Sequence, residues 1–301
     1  MSVNRIIAIL IKNIDEATNM KQLKWWLMAL VLVLGLAGCQ VQHASKTAAR
    51  HSTSTKQTSA YVNSQVPTFY LHGFQGSAKS TNTLIAHAQT TAHAHKVLVA
   101  TVSASGQVTL KGKWHGNVRN PIIQIVFKNN LAQYDQQSAW LAKVITTVQQ
   151  QHAFKQYNIV AHSAGCVASV NMLMTQQTAG FPTIKKLVTI AGPFDGVVGE
   201  DDVANQNSFL ASGQPKYLHA AYELLAAKRT NFPQHVHLLN IVGTLNDGSH
   251  SDSLVTNVSA RSIKYLLRDQ NVVYTEKDFY GAHAQHSQLH ENAKVALAIN
   301  R

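Results

Sequence analysis

Ser163 stands in Ala161-His162-Ser163-Ala164-Gly165, with the apolar run Tyr157–Val160 before it and a helix-compatible stretch, Ala164–Gln177, after it. A strand that turns abruptly into a helix leaves its turn residue strained and exposed, which suits a nucleophile. Only small residues fit at either end of so tight a turn, and Ala161 meets that need in place of the usual Gly. The backbone N–H of Ala164, at the helix start, is placed to face a developing oxyanion. His162 is expected to orient the turn, and Cys166 to pack as a small buried residue and not as a second nucleophile. Two later stretches offer partners. The apolar run His237–Gly243 leads to Asp247 and Asp252, and the run Val272–Thr275 leads to His283, His286 and His290. A serine, a carboxylate and an imidazole together perform acyl transfer: the imidazole takes the hydroxyl proton and the carboxylate orients the imidazole.

Those residues need a scaffold that brings chain segments far apart in sequence to one place. Runs rich in β-branched residues predict strands at Thr68–Leu71, Lys96–Val102, Ile122–Phe127, Asn158–Ala161, Leu187–Ala191, Val236–Val242 and Val272–Thr275. Helical patterns occupy Ser80–His95, Tyr134–Gln151, Ala164–Gln177, Val258–Leu267 and Ser287–Ile299. Strand–helix alternation with apolar strands predicts an α/β domain over residues 66–301, a mostly parallel sheet flanked by helices on both faces. Gln107–Trp114 alternates and is expected to form a hairpin with the strand before it. Asp195–Gln214 is the least periodic and most polar segment. It reads as a small cap or substrate-entry loop inserted after the strand that follows the nucleophile helix, with Glu200, Asp201 and Asp202 as solvated charges. Two cysteines, Cys39 and Cys166, make neither a disulfide framework nor a zinc-site spacing, so no metal or cofactor is expected.

Thr68-Phe69-Tyr70-Leu71-His72-Gly73-Phe74 is an apolar strand ending in an His-Gly pair, and here the chain resembles the α/β-hydrolase superfamily. The resemblance implies an oxyanion hole made by the N–H groups of Phe74 and Ala164. It also implies a triad acid in the loop after His237–Gly243. Asp252-Ser253-Leu254-Val255 matches the pattern D-x-x-V-P except that Thr256 replaces the proline, while Asp247, in the turn-forming Asn246-Asp247-Gly248, is the competitor. The superfamily's H-x-x-L fits His286 and Leu289, with His290 and His283 as alternatives. Ser287 is expected to cap the last helix, leaving His286 in a loop and His290 inside the helix. Ser163, Asp252 and His286 then follow the superfamily order. The wider wording is similar to the DUF915-type cell-surface hydrolases of Gram-positive bacteria: His72–Ala78, Ile190–Gly196, Asp247–Asp252 and Gln285–Asn292. That likeness covers Val66 to Arg301 and implies a reaction class but no substrate. The elbow is also similar to that of small secreted Bacillus lipases, from which lipase activity is not inferred. Ester hydrolysis leads; amidase, thioesterase or acyltransferase chemistry would use the same triad. A non-catalytic binding lipoprotein of the same fold is the rival, although a binder has no need of all three groups.

The first forty residues read as an address. Lys21 and Lys24 precede the apolar run Trp25–Ala37, which is too short to span a bilayer comfortably and has the proportions of a signal peptide, residues 1–38. Met20 is a second plausible start. Leu36-Ala37-Gly38-Cys39 resembles the lipobox of bacterial lipoprotein precursors, which implies a lipid on Cys39 and a membrane anchor on the outer face. Residues 40–65, rich in Ser, Thr, Ala and Gln, follow as a flexible tether with a typical reach of about 30 Å. The chain carries 26 Lys and Arg against 14 Asp and Glu, a formal charge of +12. Residues 1–38 hold four bases and two acids, so 22 bases face 12 acids beyond them. Such a surface is drawn to anionic lipid headgroups and wall polymers. No basic run interleaves with aromatics, so nucleic acid is not an expected partner.

Overall fold

The computed structural model describes residues 64–176 and 178–300; the expected signal peptide, Cys39 and the tether up to residue 63 lie outside the described residues. Eight strands form one sheet in the order β3-β2-β4-β1-β5-β6-β7-β8. They are β1 (Thr68–Leu71), β2 (His95–Val102), β3 (Val108–Gly112), β4 (Pro121–Phe127), β5 (Gln156–His162), β6 (Thr183–Ile190), β7 (His237–Thr244) and β8 (Val273–Tyr280). Every neighbouring pair is parallel except β2–β3, which forms the expected antiparallel hairpin. In β4 the sequence PIIQIVF is buried at all but one position, as a strand covered on both faces requires. The edge strand β8 runs five residues beyond its expected end at Thr275. Its later part opens with three charged residues, Glu276, Lys277 and Asp278, and so lacks an apolar run; Arg261 holds it by ion pairs to Glu276 and Asp278.

The helices are α1 (Lys79–Thr91), α2 (Tyr134–Gln151), α3 (Ala164–Thr175), α4 (Ala220–Ala226), α5 (Asn257–Leu266), α6 (His286–Leu289) and α7 (Ala293–Ile299). In α2, Trp140, Leu141, Val144, Ile145 and Val148 make the buried stripe of a 3.6-residue period. They share a core with Phe69 and Leu71 of β1 and with α3 and α5. Tyr70 points to the other face, where Leu84, Ile85 and Ala88 of α1 and Val295 and Ala296 of α7 pack. Burying each large side chain stabilises the domain by about 1.5–3 kcal/mol. Among the described residues no helix is long and apolar enough to cross a membrane.

The helix expected over Ser287–Ile299 is two helices, α6 and α7, with a break at His290–Asn292. Ser287 is not the cap. The Gln285 side chain accepts from the N–H groups of Ser287 and Gln288 and so starts the chain turning two residues earlier, and Asn292 caps α7. His286 therefore opens a one-turn helix, and His290 follows it.

Candidate active site

The C-terminal ends of β1, β5, β7 and β8 lie along one edge of the sheet, and each delivers one part of the site. After β5, Ser163 adopts φ 55°, ψ −131°, a conformation that costs a non-glycine residue energy and that the surrounding packing must enforce. Ser163 N–H donates to the Ile190 carbonyl (2.9 Å) and Cys166 N–H donates to the Ser163 carbonyl (2.8 Å), fixing the turn from both sides. The turn after β1 presses directly on this elbow. A Cβ on Gly73 would fall 2.6 Å from Ser163 Cβ, and one on Gly165 would fall 2.6 Å from the His72 carbonyl oxygen. Both glycines are thus required by close approach.

His72 clamps that turn. Phe127 N–H donates to its Nε2 (3.0 Å), so Nδ1 carries the proton and donates to the Gly73 carbonyl (2.8 Å). The ring is fully buried, and burial holds its pKa below the ordinary histidine value. The clamp sets the backbone at Phe74, whose side chain is half exposed. Neither Phe74 N–H nor Ala164 N–H is spent on an acceptor among the described residues.

His286 Nε2 lies 2.8 Å from Ser163 Oγ, and His286 Nδ1 lies 2.8 Å from Asp252 Oδ2. A carboxylate only accepts, so Nδ1–H donates to Asp252 and Nε2 is left to accept from the serine hydroxyl. Asp252 and His286 are 1% and 4% exposed, whereas Ser163 is partly open to solvent. Asp252 Oδ1 accepts from the N–H groups of Leu254 (3.0 Å) and Val255 (2.7 Å), which curls D-x-x-V around its own carboxylate. The backbones are coupled as well, His286 N–H donating to the Asp252 carbonyl (2.8 Å). Asp247, the competing acid, is exposed and accepts from Ser249 N–H as a turn residue; those hydrogen bonds hold its pKa below the usual carboxylate value.

The other histidines divide as follows. His162 is buried, and its Nε2–H donates to the His286 carbonyl (3.0 Å), so it ties the elbow strand to the base segment. Its ring lies 4.8 Å from that of His286 and 4.7 Å from that of His290. Burial first, and then the two neighbouring rings, hold its pKa well below the ordinary value. His290 is occupied with Glu291 (3.0 Å), and His283 is exposed at the surface. Cys166 is buried, its thiol donates to the Ala161 carbonyl (3.2 Å), and burial raises its pKa strongly. It packs against the elbow from within the core. Among the described residues no three His, Cys, Asp or Glu side chains gather as a metal-holding group.

Sequence reasoning missed what supports Asp252. The segment Asp195–Gln214 is an insertion whose first part is strapped onto the loop carrying Asp252. Val198 N–H donates to the Leu254 carbonyl (2.8 Å), Asn205 Nδ2 donates to the Gly248 carbonyl (3.0 Å), and Asn205 Oδ1 meets His250 Nδ1 (2.7 Å). Asp202, expected to be solvated, is 3% exposed and accepts from Thr256 Oγ1 (2.7 Å). Thr256, the residue that replaces the proline of the pattern, also caps α5 by accepting from Ser259 N–H (3.0 Å). A threonine three residues before Ser259 at the start of a helical pattern was the readable signal for the cap; nothing local pointed to Asp202. Asp195, fully buried, accepts from His219 N–H and Asn207 Nδ2 and anchors the rest of the insertion; burial raises its pKa.

The profile of the DUF915 family, described as an alpha/beta hydrolase of unknown function, matches residues 55–301. The chain belongs to this family. A Listeria innocua gene product of solved structure has a TM-score of 0.69 at 24% identity, over 78% of this chain and 92% of its own. A protein of Lactobacillus plantarum WCFS1, provisionally named a cell surface hydrolase, has a TM-score of 0.61 at 24% identity, over 78% and 88%. At that identity both establish the fold alone. No curated protein matches the sequence.

Proposed function

We propose that this member of the family is an extracellular, lipid-anchored serine hydrolase that cleaves acyl esters, with residues 66–301 as its catalytic domain. The observation that carries the reading is the continuous relay from Ser163 Oγ through the His286 ring to Asp252, both links 2.8 Å long. Ser163 Oγ attacks the carbonyl carbon while its proton passes to His286 Nε2. The carbonyl oxygen becomes an oxyanion facing the N–H groups of Phe74 and Ala164, and Asp252 stabilises the imidazolium. The imidazolium then protonates the departing alkoxide as the ester C–O bond breaks, leaving an acyl-Ser163. Water, deprotonated by His286, repeats the sequence and frees the acid. Cys39 carries the lipid, and residues 40–65 tether the domain to the outer face of the membrane.

A fluorophosphonate probe applied to the full-length protein is expected to label it at Ser163 and to leave Ser163→Ala unlabelled. Turnover of p-nitrophenyl esters of graded chain length should fall about 10⁶-fold in the same variant, with its thermal unfolding unchanged. Turnover within about tenfold of the parent overturns the assignment. Cys39→Ser is expected to leave the protein unanchored; retention on membranes after alkaline washing would make the apolar run the anchor.

A further inference from the structure

The two ends of the sheet differ in charge. At the C-terminal edge, around Ser163, exposed acids and bases mix: Glu200, Asp201, Asp247 and Glu291 stand with Lys79 and Lys128. At the N-terminal edge the exposed charges are mostly basic: Lys96 is the second residue of β2, Lys113 and Arg119 lie in the β3–β4 connection, Lys155 precedes β5, and Lys185 and Lys186 lie in the first half of β6. The hydrogen bonds that close this edge place them together. Lys113 N–H donates to the Val97 carbonyl, Asn120 N–H to the Ser64 carbonyl, and Thr183 N–H to the Lys155 carbonyl. The acid described at this end, Asp269, is taken up by Arg229 and Arg268.

A cavity of about 220 Å³ opens at the same edge, beneath the ends of α1 and α7. Its floor is Tyr70, Ile122, Val160 and Val188, and Lys185 and Lys186 stand at its side. Asn158 also lines it, and the buried Oδ1 of that side chain has no hydrogen-bond partner among the described residues. Trp114, partly buried, stacks on His152 nearby (4.6 Å), beside a second concavity that Gln65 also lines. Indole rings with one wet side favour the level of lipid headgroups. Ser64, to which the preceding 63 residues are joined, is pinned here by two hydrogen bonds to Asn120.

We propose that this edge is a docking surface for phosphate-bearing anionic lipid headgroups, with the cavity beside Lys185 and Lys186 taking one headgroup. The charge complements such a surface, the cavity joins an apolar floor to cations, and the chain enters from this side. Docked so, Ser163 stands off the bilayer by about the length of an eight-residue strand, roughly 25 Å. The site then faces outward, toward substrates presented from beyond the membrane. The docking is independent of whether Ser163 is a nucleophile.

The test is hydrogen–deuterium exchange on the full-length protein reconstituted in vesicles of phosphatidylglycerol or of neutral phosphatidylcholine. Segments 93–96, 113–119, 155–158 and 183–186 are expected to be protected on the anionic vesicles alone. The variant Lys155→Glu/Lys185→Glu/Lys186→Glu, with its melting temperature measured alongside, should lose that protection. At about fivefold per basic residue, the docking equilibrium constant falls at least about a hundredfold. Equal exchange on both vesicles, or protection of segments 245–256 and 281–290 in place of these, overturns the proposal. So does equal protection by inorganic phosphate, which would mark a phosphate site only, or by soluble polyglycerol phosphate, which would mark a polymer-binding surface.

Discussion

The proposed nucleophile and the proposed acid are held in unlike ways. Ser163 is fixed by backbone contact: Gly73 and Gly165 let the turn after β1 lie directly against the elbow, and the His72 clamp acts through the residue next to it. Asp252 is fixed by polar contact at a distance in sequence, through Val198, Asp202 and Asn205 some fifty residues upstream. The first arrangement tolerates no added atom. The second depends on individual hydrogen bonds, each worth about 0.5–1.5 kcal/mol, or 1.5–3 to a charged group.

Among changes to how the two groups are held, the largest effect is expected at the acid itself. Asp252→Asn keeps the shape but favours the wrong imidazole tautomer, and ester turnover should fall by about 10⁴ with the melting temperature little changed. Asp247→Asn, at an exposed turn whose hydrogen bonds an amide largely keeps, should stay within a few-fold of the parent. If Asp247→Asn were the inactive, well-folded variant, the proposed triad would be wrong.

Next comes the steric side. Gly73→Ala places a methyl 2.6 Å from Ser163 Cβ, so one of the two backbones must move. A loss of about 10² in kcat is expected, since small misplacements of reacting groups cost that much. A parent-like rate would show that the elbow is not held by close approach.

The strap should cost less. Asp202→Asn weakens a charge-assisted bond to Thr256, and a loss of about 1.5–3 kcal/mol in chemical denaturation is expected. Turnover should drop about tenfold through kcat, with KM unchanged, because the strap acts on the substrate site only through Asp252. A pure stability loss with parent-like kcat would separate the insertion from the site.

The smallest effect is a slope. Burial keeps His162 neutral in the folded protein, whereas the unfolded chain protonates it near pH 6.5. The unfolded state thus binds more protons below that pH, and stability falls as pH drops through it, by up to about 1.4 kcal/mol per pH unit for this group. His162→Gln should flatten the dependence of melting temperature on pH between about 6.5 and 5. An unchanged slope would show that His162 does not remain neutral in the fold.

Local pattern determined much of this molecule. The apolar runs located the strands because a sheet covered on both faces demands continuous burial, and the tight-turn chemistry around Ser163 stands in five consecutive residues. Gly73 next to His72, D-x-x-V and H-x-x-L were legible for the same reason, each being a short segment with its own geometry. Tertiary structure decided the rest. That Asp252 and not Asp247 lies beside the His286 ring depends on how a loop after β7 meets one after β8. The second half of β8 was hidden because an edge strand can carry charge, and the break at His290 because Gln285 and Asn292 cap separate helices. Asp202 reads locally as a surface charge, since an aspartate is exposed or buried according to what packs over it. Its partner Thr256 lies 54 residues away, and only folding brings the two together.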